Sequence, residues 1–476
     1  MPKSRHTLLL TSLLVTAACS GDFGATPGGV QDMGFARELI DAGRIPPPEA
    51  FTVEGMYSEH DLPLEGEPCE TLLCLRGALG LAPTLDGEAS AWLQVGLSST
   101  IDPQTFRRDD IALIAAIDVS CSMGWNYGED SETPGKVTRE LMRRVAAEMG
   151  ADDRVAIVTY GSSVDTKLGF TPGDQQSKIQ GVIDDLSDDG STNMEAGLKR
   201  AFELARSLQG DAQQIRVMLF TDAQPNVGAT DSSEFSRMVA DAADDGIGIT
   251  IIGAGLGLGQ RLVNEMAHLR GGKAFSLFDT EGVGELMADS WPWMVSPIAY
   301  DMKLEIEAPG DYRVADTYGF PGSAEEAVQA KLEVASVFLS RRRGALLVRL
   351  TNGDLAYDGL DVAGRLTYVT RDGATVEDHI QVKNDGATLD ERGQWYAQTS
   401  VGRSVALAVL VGAMKSSAEL YADGDQPAAV ELMEKALERF EGDADGDDTL
   451  APEVALAKKY LELLRASAPQ GSLYSR

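Results

Sequence analysis

A chain of 476 residues with 43% hydrophobic side chains has room for two or three domains with real cores, which excludes general disorder. Its formal net charge is −33, from 74 acidic against 41 basic side chains. A surface that acidic repels nucleic acid and attracts cations, so no DNA or RNA partner is expected.

At the N-terminus, Lys3 and Arg5 precede the run LLLTSLLVTAA, which leads into Cys19. A basic start, a short apolar run and small residues before a cut describe a secretory signal over 1–18; a membrane span needs ~20 apolar residues. The order Ala17-Ala18-Cys19 is similar to the lipobox of bacterial lipoproteins, with Thr16 where such boxes usually carry leucine. That resemblance implies acylation of Cys19 and a lipid anchor in the cell envelope, at the outer membrane or cell surface. In a diderm bacterium, Ser20 rather than Asp after the cysteine points to the outer membrane. An ordinary signal peptide with an incidental cysteine is the rival reading.

Residues 19–50, rich in Gly, Pro and Asp, read as the tether behind that anchor, with FARELIDAGRI as a short helix. Cys69 and Cys74 (CETLLC) can close a small loop, and an exported compartment permits a disulfide; two reduced thiols are the alternative. Zinc is not expected, because His6, His60, His268 and His379 are far apart in sequence and no second cysteine pair exists. AWLQVGLSS (91–99) alternates like a half-buried strand, so 51–104 reads as a segment contributing strands to a β domain.

From Asp110 the pattern changes. IALIAAI (111–117) is a continuous apolar run, the sign of a strand covered on both faces. Strand-like runs at 154–160, 215–221, 247–253 and 273–278 alternate with helical ones at 136–149, 175–186, 194–208, 233–245, 260–269 and 281–291. This alternation predicts an α/β fold, a doubly wound and mostly parallel sheet with helices on both faces. Such sheets bind ligands beyond the carboxyl ends of their strands, at the topological switch point. Beyond Ser296, short runs at 299–308, 331–339, 345–351 and 364–373, separated by Gly, Asn and Asp, read as a flanking antiparallel β domain over 297–400. Residues 91–99 are expected to join it, splitting it around the α/β domain. Residues 401–476 read as a C-terminal helical segment, a docked hairpin more than a set of repeats.

Three polar clusters fall at loop positions of the α/β region. DVSCSMG brings Asp118, Ser120 and Ser122 to a strand end; GSTN puts Thr192 before a helix; FTDAQPN puts Asp222 at another strand end. Alternate side chains of D-x-S-x-S face one point, and an oxygen-only donor set suits a hard divalent cation such as Mg²⁺. The bland alternatives are helix caps and chance, which three clusters in this order make hard to sustain.

These three motifs on an alternating α/β pattern resemble the von Willebrand factor type A domain with its metal-ion-dependent adhesion site, over 105–296. The segment IPPPEAFTVEGM (45–56) is similar to the one preceding this domain in a group of bacterial type A lipoproteins. The resemblance implies Mg²⁺ or Mn²⁺ touched directly by Ser120, Ser122 and Thr192, with Asp118 and Asp222 acting mainly through water. It also implies a non-catalytic role: a partner protein would present an Asp or Glu to the metal. Two positions depart from the pattern, Cys121 and Ala223, each where glycine is usual; a side chain strains the loop if either needs a positive φ. A metal-dependent hydrolase or phosphatase, and a structural envelope protein with a vestigial site, are the rival functions. Weaker motifs lead nowhere. GAGLGLG (253–259) lacks the third glycine of a dinucleotide fingerprint, and DADGDD (443–448) lacks the glycine and the bidentate acid of a calcium loop.

Overall fold

The computed structural model describes residues 23–467, apart from 103–104, 127–131, 209, 211–213, 223–225, 229–231, 256–258, 270–271, 321–328, 341, 353–358 and 385. The signal segment 1–18, the acylation candidate Cys19 and Ala223 therefore lie outside the described residues.

The N-terminal segment supplies β1 (Phe23–Thr26), β2 (Gly29–Val30), α1 (Gly34–Asp41) and α2 (Val53–Glu59), then the long strands β3 (Leu73–Pro83) and β4 (Ala89–Ser99). The alternating region runs β5 (Ile111–Asp118), α3 (Pro134–Ala147), β6 (Arg154–Tyr160), β7 (Val164–Pro172), α4 (Gln176–Asp184), α5 (Met194–Arg206) and β8 (Gln214–Thr221). It continues through α6 (Ser232–Asp244), β9 (Ile247–Ala254), α7 (Gln260–Ala267), β10 (Lys273–Leu277) and α8 (Thr280–Val295). Strands β11 (Pro297–Glu307), β12 (Arg313–Tyr318), β13 (Gln329–Ser340), β14 (Leu346–Thr351), β15 (Asp361–Thr370), β16 (Thr375–Lys383) and β17 (Trp395–Tyr396) follow. Helices α9 (Thr399–Ala422), α10 (Gln426–Asp443) and α11 (Ala451–Ala466) end the described chain.

One sheet has the order β2-β10-β9-β8-β5-β6-β7 and is parallel except for the β6–β7 pair. From β5 the chain moves to β6 on one side, then returns past β5 to β8 on the other. That places the switch point at the carboxyl ends of β5 and β8. All eight residues of β5 are buried, because helices cover both faces. Among those helices, α3 packs Val137, Leu141 and Val145 inward at four-residue spacing; Pro134 opens it, and the Thr133 hydroxyl accepts from Lys136 N. Burying such aliphatic side chains contributes ~1.5–3 kcal/mol each. β7 alternates exposed and covered positions at the sheet edge, with Asp165 and Lys167 facing water, which protects that edge from foreign strands.

The second sheet is antiparallel, in the order β12-β14-β4-β1-β13-β11-β15-β16, with β3 on β4 and β17 on β3. β4 pairs with β14 from Leu346↔Val95 to Leu350↔Ala91, so the strand before the α/β region does enter the sheet that follows it.

The expectation of a tether over 19–50 is corrected for residues 23–50. β1 pairs with β13 and β4 in the antiparallel sheet, β2 pairs in parallel with β10 in the other, and α1 buries Phe35, Ala36, Leu39 and Ile40. Gly and Pro here make turns between very short elements whose partners lie far along the chain. Helix α9 is long and apolar enough to cross a membrane, yet it packs against α10, α2, β3 and β4, with Val401, Val405, Leu407, Leu410 and Met414 buried.

Candidate metal centre

Asp118 ends β5, and Asp222 follows the last residue of β8. The two strands are parallel neighbours with Ile117 opposite Phe220, a spacing of ~4.8 Å between backbones. Both acids are buried, Asp118 at 2% and Asp222 at 0% exposure, and Ser120 and Thr192 are each at 1%. Ser120 N donates to Asp118 Oδ1 at 2.8 Å and Thr221 Oγ1 to Oδ2 at 3.2 Å. After Ser120 the chain makes a 3-10 turn (Cys121–Gly124) that holds Ser122 Oγ 3.1 Å from Ser120 Oγ.

Backbone hydrogen bonds lace the three loops together. Asp189 N donates to Val119 O at 2.6 Å, and Cys121 N to Gly190 O at 3.0 Å, which ties the first loop to the second. The second is tied to the third through Asn226, whose Oδ1 accepts from Thr192 N at 2.9 Å and whose own N donates to Thr192 O at 3.1 Å. Asn193 caps α5 by accepting from Ala196 N. Asp222 O accepts from Gly259 N at 3.0 Å, so the chain following residues 256–258 closes against the third loop.

Burial first, and then the charge of Asp222, push the Asp118 carboxyl up to about 7; the hydrogen bonds from Ser120 and Thr221 oppose this. Two buried carboxylates that destabilise each other, beside neutral hydroxyls, make a pocket for positive charge. Among the described residues no three or more His, Cys, Asp or Glu gather in a way that could hold a metal. The set instead combines two carboxylates with hydroxyls, which fits a hard divalent cation held with coordination positions left open.

All five sequence-predicted site residues thus belong to loops joined at one end of the sheet. Cys121 is exposed, and among the described residues Asp301 alone has a positive φ outside glycine. The strain expected at Cys121 therefore does not arise. Cys69 and Cys74 are joined as a disulfide with their Cα atoms 5.6 Å apart, linking the segment before β3 to β3 itself. In the acidic run 443–448, Asp443 accepts from Arg439, Arg392 and Gln394, and Asp447 from Arg403 and Thr449 N, so these carboxylates brace the C-terminal helices. Sequence reasoning missed Asn226 and Gly161. Asn226 stood within the quoted FTDAQPN run; Gly161 gave no local signal.

Comparison with known proteins bears on the fold that carries these loops. The family model described as von Willebrand factor type A domain matches residues 113–224, a span that contains all five site residues. The uncharacterized protein YfbK of Escherichia coli K12 is 26% identical over 280 residues, 57% of this chain and 47% of that protein. Inter-alpha-trypsin inhibitor heavy chain H1 of Sus scrofa is 22% identical over 214 residues, 43% of this chain and 23% of that protein. The matches span less than half the length of these curated relatives. The solved structure of a von Willebrand factor type A protein from Catenulispora acidiphila superposes with a TM-score of 0.54 at 12% identity, covering 83% of this chain and 92% of that one, a likeness of fold. The chain therefore contains a von Willebrand factor type A domain, flanked by an antiparallel sheet and a C-terminal helical segment.

Proposed function

We propose that this chain is a cell-envelope lipoprotein, anchored through Cys19, whose type A domain grips a partner protein through a Mg²⁺- or Mn²⁺-dependent adhesion site. One observation carries the reading: two buried carboxylates and three hydroxyl residues sit on three laced loops at the carboxyl ends of β5 and β8. Ser120, Ser122 and Thr192 would supply direct oxygens, with Asp118 and Asp222 orienting waters. Neutral hydroxyls and at most two carboxylates leave a divalent cation short of charge and of a ligand, so an acidic side chain from a partner completes it. Trp125 and Val227, exposed at 60% and 41%, offer apolar shoulders beside the first and third loops. The loops 118–126, 189–193 and 221–228 contain no His or Lys, and both of the buried carboxylates are committed to the cation and its waters, so the role is binding without catalysis.

Calorimetry tests the site. Wild-type protein should bind Mg²⁺ or Mn²⁺, Asp118→Ala or Asp222→Ala should weaken binding by more than about tenfold, and Ser120→Ala by less, since water replaces a neutral hydroxyl. No binding at millimolar cation would end the adhesion reading and leave a structural one. For the anchor, Cys19→Ser should release the protein into the soluble fraction and abolish fatty-acid labelling; unchanged labelling would refute acylation at Cys19.

A further inference from the structure

A cleft of about 410 Å³ runs along the edge of the parallel sheet, where the antiparallel sheet leans against it. Its walls include Phe275 of β10, Trp293 and Met294 of α8, and Leu339 and Ser340 of β13. Lys273, the first residue of β10, also lines it and is only 3% exposed. The Lys273 ammonium lies 4.1 Å from the centre of the Phe338 ring, and the Arg216 guanidinium 4.9 Å from the same centre. Arg216 Nη1 is satisfied by Ile249 O and Thr250 Oγ1, both at 2.9 Å. Lys273 differs: among the described residues no carboxylate or carbonyl accepts from its ammonium. Burial, then the neighbouring Arg216, hold its amine well below the usual lysine range, so its charged form is disfavoured until an anion joins it.

The carboxylates that line the cleft do not fill that role. Asp32 accepts from Gly34 N and Ser276 N, both at 2.9 Å, and Glu59 accepts from Met33 N and Arg37. Glu38, half-buried, and Glu285, exposed, also line the cleft, and their charge disfavours polyanions there. Cation–π contact with Phe338 offsets only part of the cost of burying an ammonium.

We propose that this cleft binds a small organic monoanion, a carboxylate carried on an apolar body, with Lys273 as its charge partner and Phe275, Trp293, Met294 and Leu339 as its wall. The site is independent of the adhesion loops. The full chain would be titrated with two fluorescent probes, 8-anilinonaphthalene-1-sulfonate and the neutral N-phenyl-1-naphthylamine, which differ by the sulfonate. The sulfonate should bind saturably at one site, at least about tenfold tighter than the neutral probe, and octanoate should displace it. Lys273→Met should erase that preference without lowering the melting temperature, because an apolar side chain of similar length replaces a buried charge. Ser340→Trp, with Lys273 intact, should weaken both probes by narrowing the cleft, and it decides the matter with the wild-type preference if Lys273→Met does not fold. Equal affinity for the two probes in the wild type, or sulfonate binding unchanged in Lys273→Met, would overturn the proposal.

Discussion

Gly161 controls where the second oxygen loop can sit. A Cβ built on it would stand 2.2 Å from Asp189 O, closer than any side chain tolerates. Around it, Ser162 N donates to Asp189 O at 2.9 Å and Asn193 N to Gly161 O at 3.1 Å. Gly161→Ala must therefore push the Asp189–Thr192 stretch away from the first loop while leaving β6 paired. The expected outcome is a cation affinity lowered by about tenfold or more with the fold retained, read by calorimetry beside circular dichroism. Wild-type affinity in this variant would mean that the loop's position does not govern the site. Trp125 should behave in the opposite way. Its ring is exposed and its backbone N donates to Ser122 O at 3.0 Å, so Trp125→Ala keeps the turn and removes only surface. Cation binding should stay unchanged, while binding of a partner recovered from the envelope should weaken by ~2 kcal/mol, the cost of losing an aromatic anchor. The motif residues were legible because chemistry demands their types at fixed spacing. Gly161 was not, because its constraint comes from a backbone that approaches from 28 residues further along the chain.

The segment from Phe23 to Glu59 shows where local pattern stops informing. β5, β6, β8 and β9 are legible as largely apolar runs, since a strand covered on both faces takes mostly apolar side chains, buried Arg216 of β8 being a departure. β1 and β2 have four and two residues, too few for any periodicity, and β1 takes its register from Ser340, Leu339 and Phe338. α2 is short, yet it and the turn before it join three parts of the protein. Asn264 of α7 donates to Glu49 O at 2.8 Å, Tyr57 Oη donates to Ser404 O of α9 at 2.7 Å, and Phe51 packs on Tyr460 of α11 with ring centres 5.2 Å apart. Arg37 of α1 adds a bridge to Glu453 of α11 at 2.9 Å. Phe51 is 2% exposed, so Phe51→Ala should cost ~3–5 kcal/mol in denaturant unfolding, through lost burial and the cavity left behind. Tyr57→Phe keeps the ring and removes one buried hydrogen bond to a carbonyl that α9 itself still satisfies, a loss of ~0.5–1.5 kcal/mol. If Phe51→Ala unfolded with the wild-type midpoint, the segment would be a passenger and the tether reading would return.

Protonation should act on the folded chain in two opposite directions as pH falls. With a net charge of −33 the native state repels itself, and adding protons or salt relieves that strain. Asp32 and, in the metal-free protein, Asp118 work in the same direction, because burial raises their carboxyls to about 6 and about 7 from an ordinary 3.8. A raised acid binds its proton more tightly when folded. Such a contribution is complete below 3.8 and is lost as pH rises through about 6 for Asp32 and about 7 for Asp118. Asp153 and Glu453 oppose this. Burial raises both, but Arg108 with the Ile111 and Gly150 amides outweighs it for Asp153, and His60 with Arg37 outweighs it for Glu453; both end below their ordinary values. A lowered acid contributes stability above its unfolded value, lost as pH falls through the folded one. Asp153 fastens the strand-entry segment to the parallel sheet, and Glu453 fastens α11 to the N-terminal segment, so their protonation loosens joints between parts. The melting temperature should therefore rise as pH is lowered from neutral, peak between the range of Asp32 and that of ordinary carboxylates, and then fall. Asp32→Asn, which leaves one oxygen to accept a backbone N–H, should reduce the rise without abolishing it, since Asp118 remains, and Asp153→Asn should flatten the fall. Melting curves of the three proteins across neutral to acidic pH, without divalent cation, check this, and a wild-type curve that only declines from neutral pH would show that the paired carboxylates outweigh Asp32, Asp118 and the charge of the whole surface.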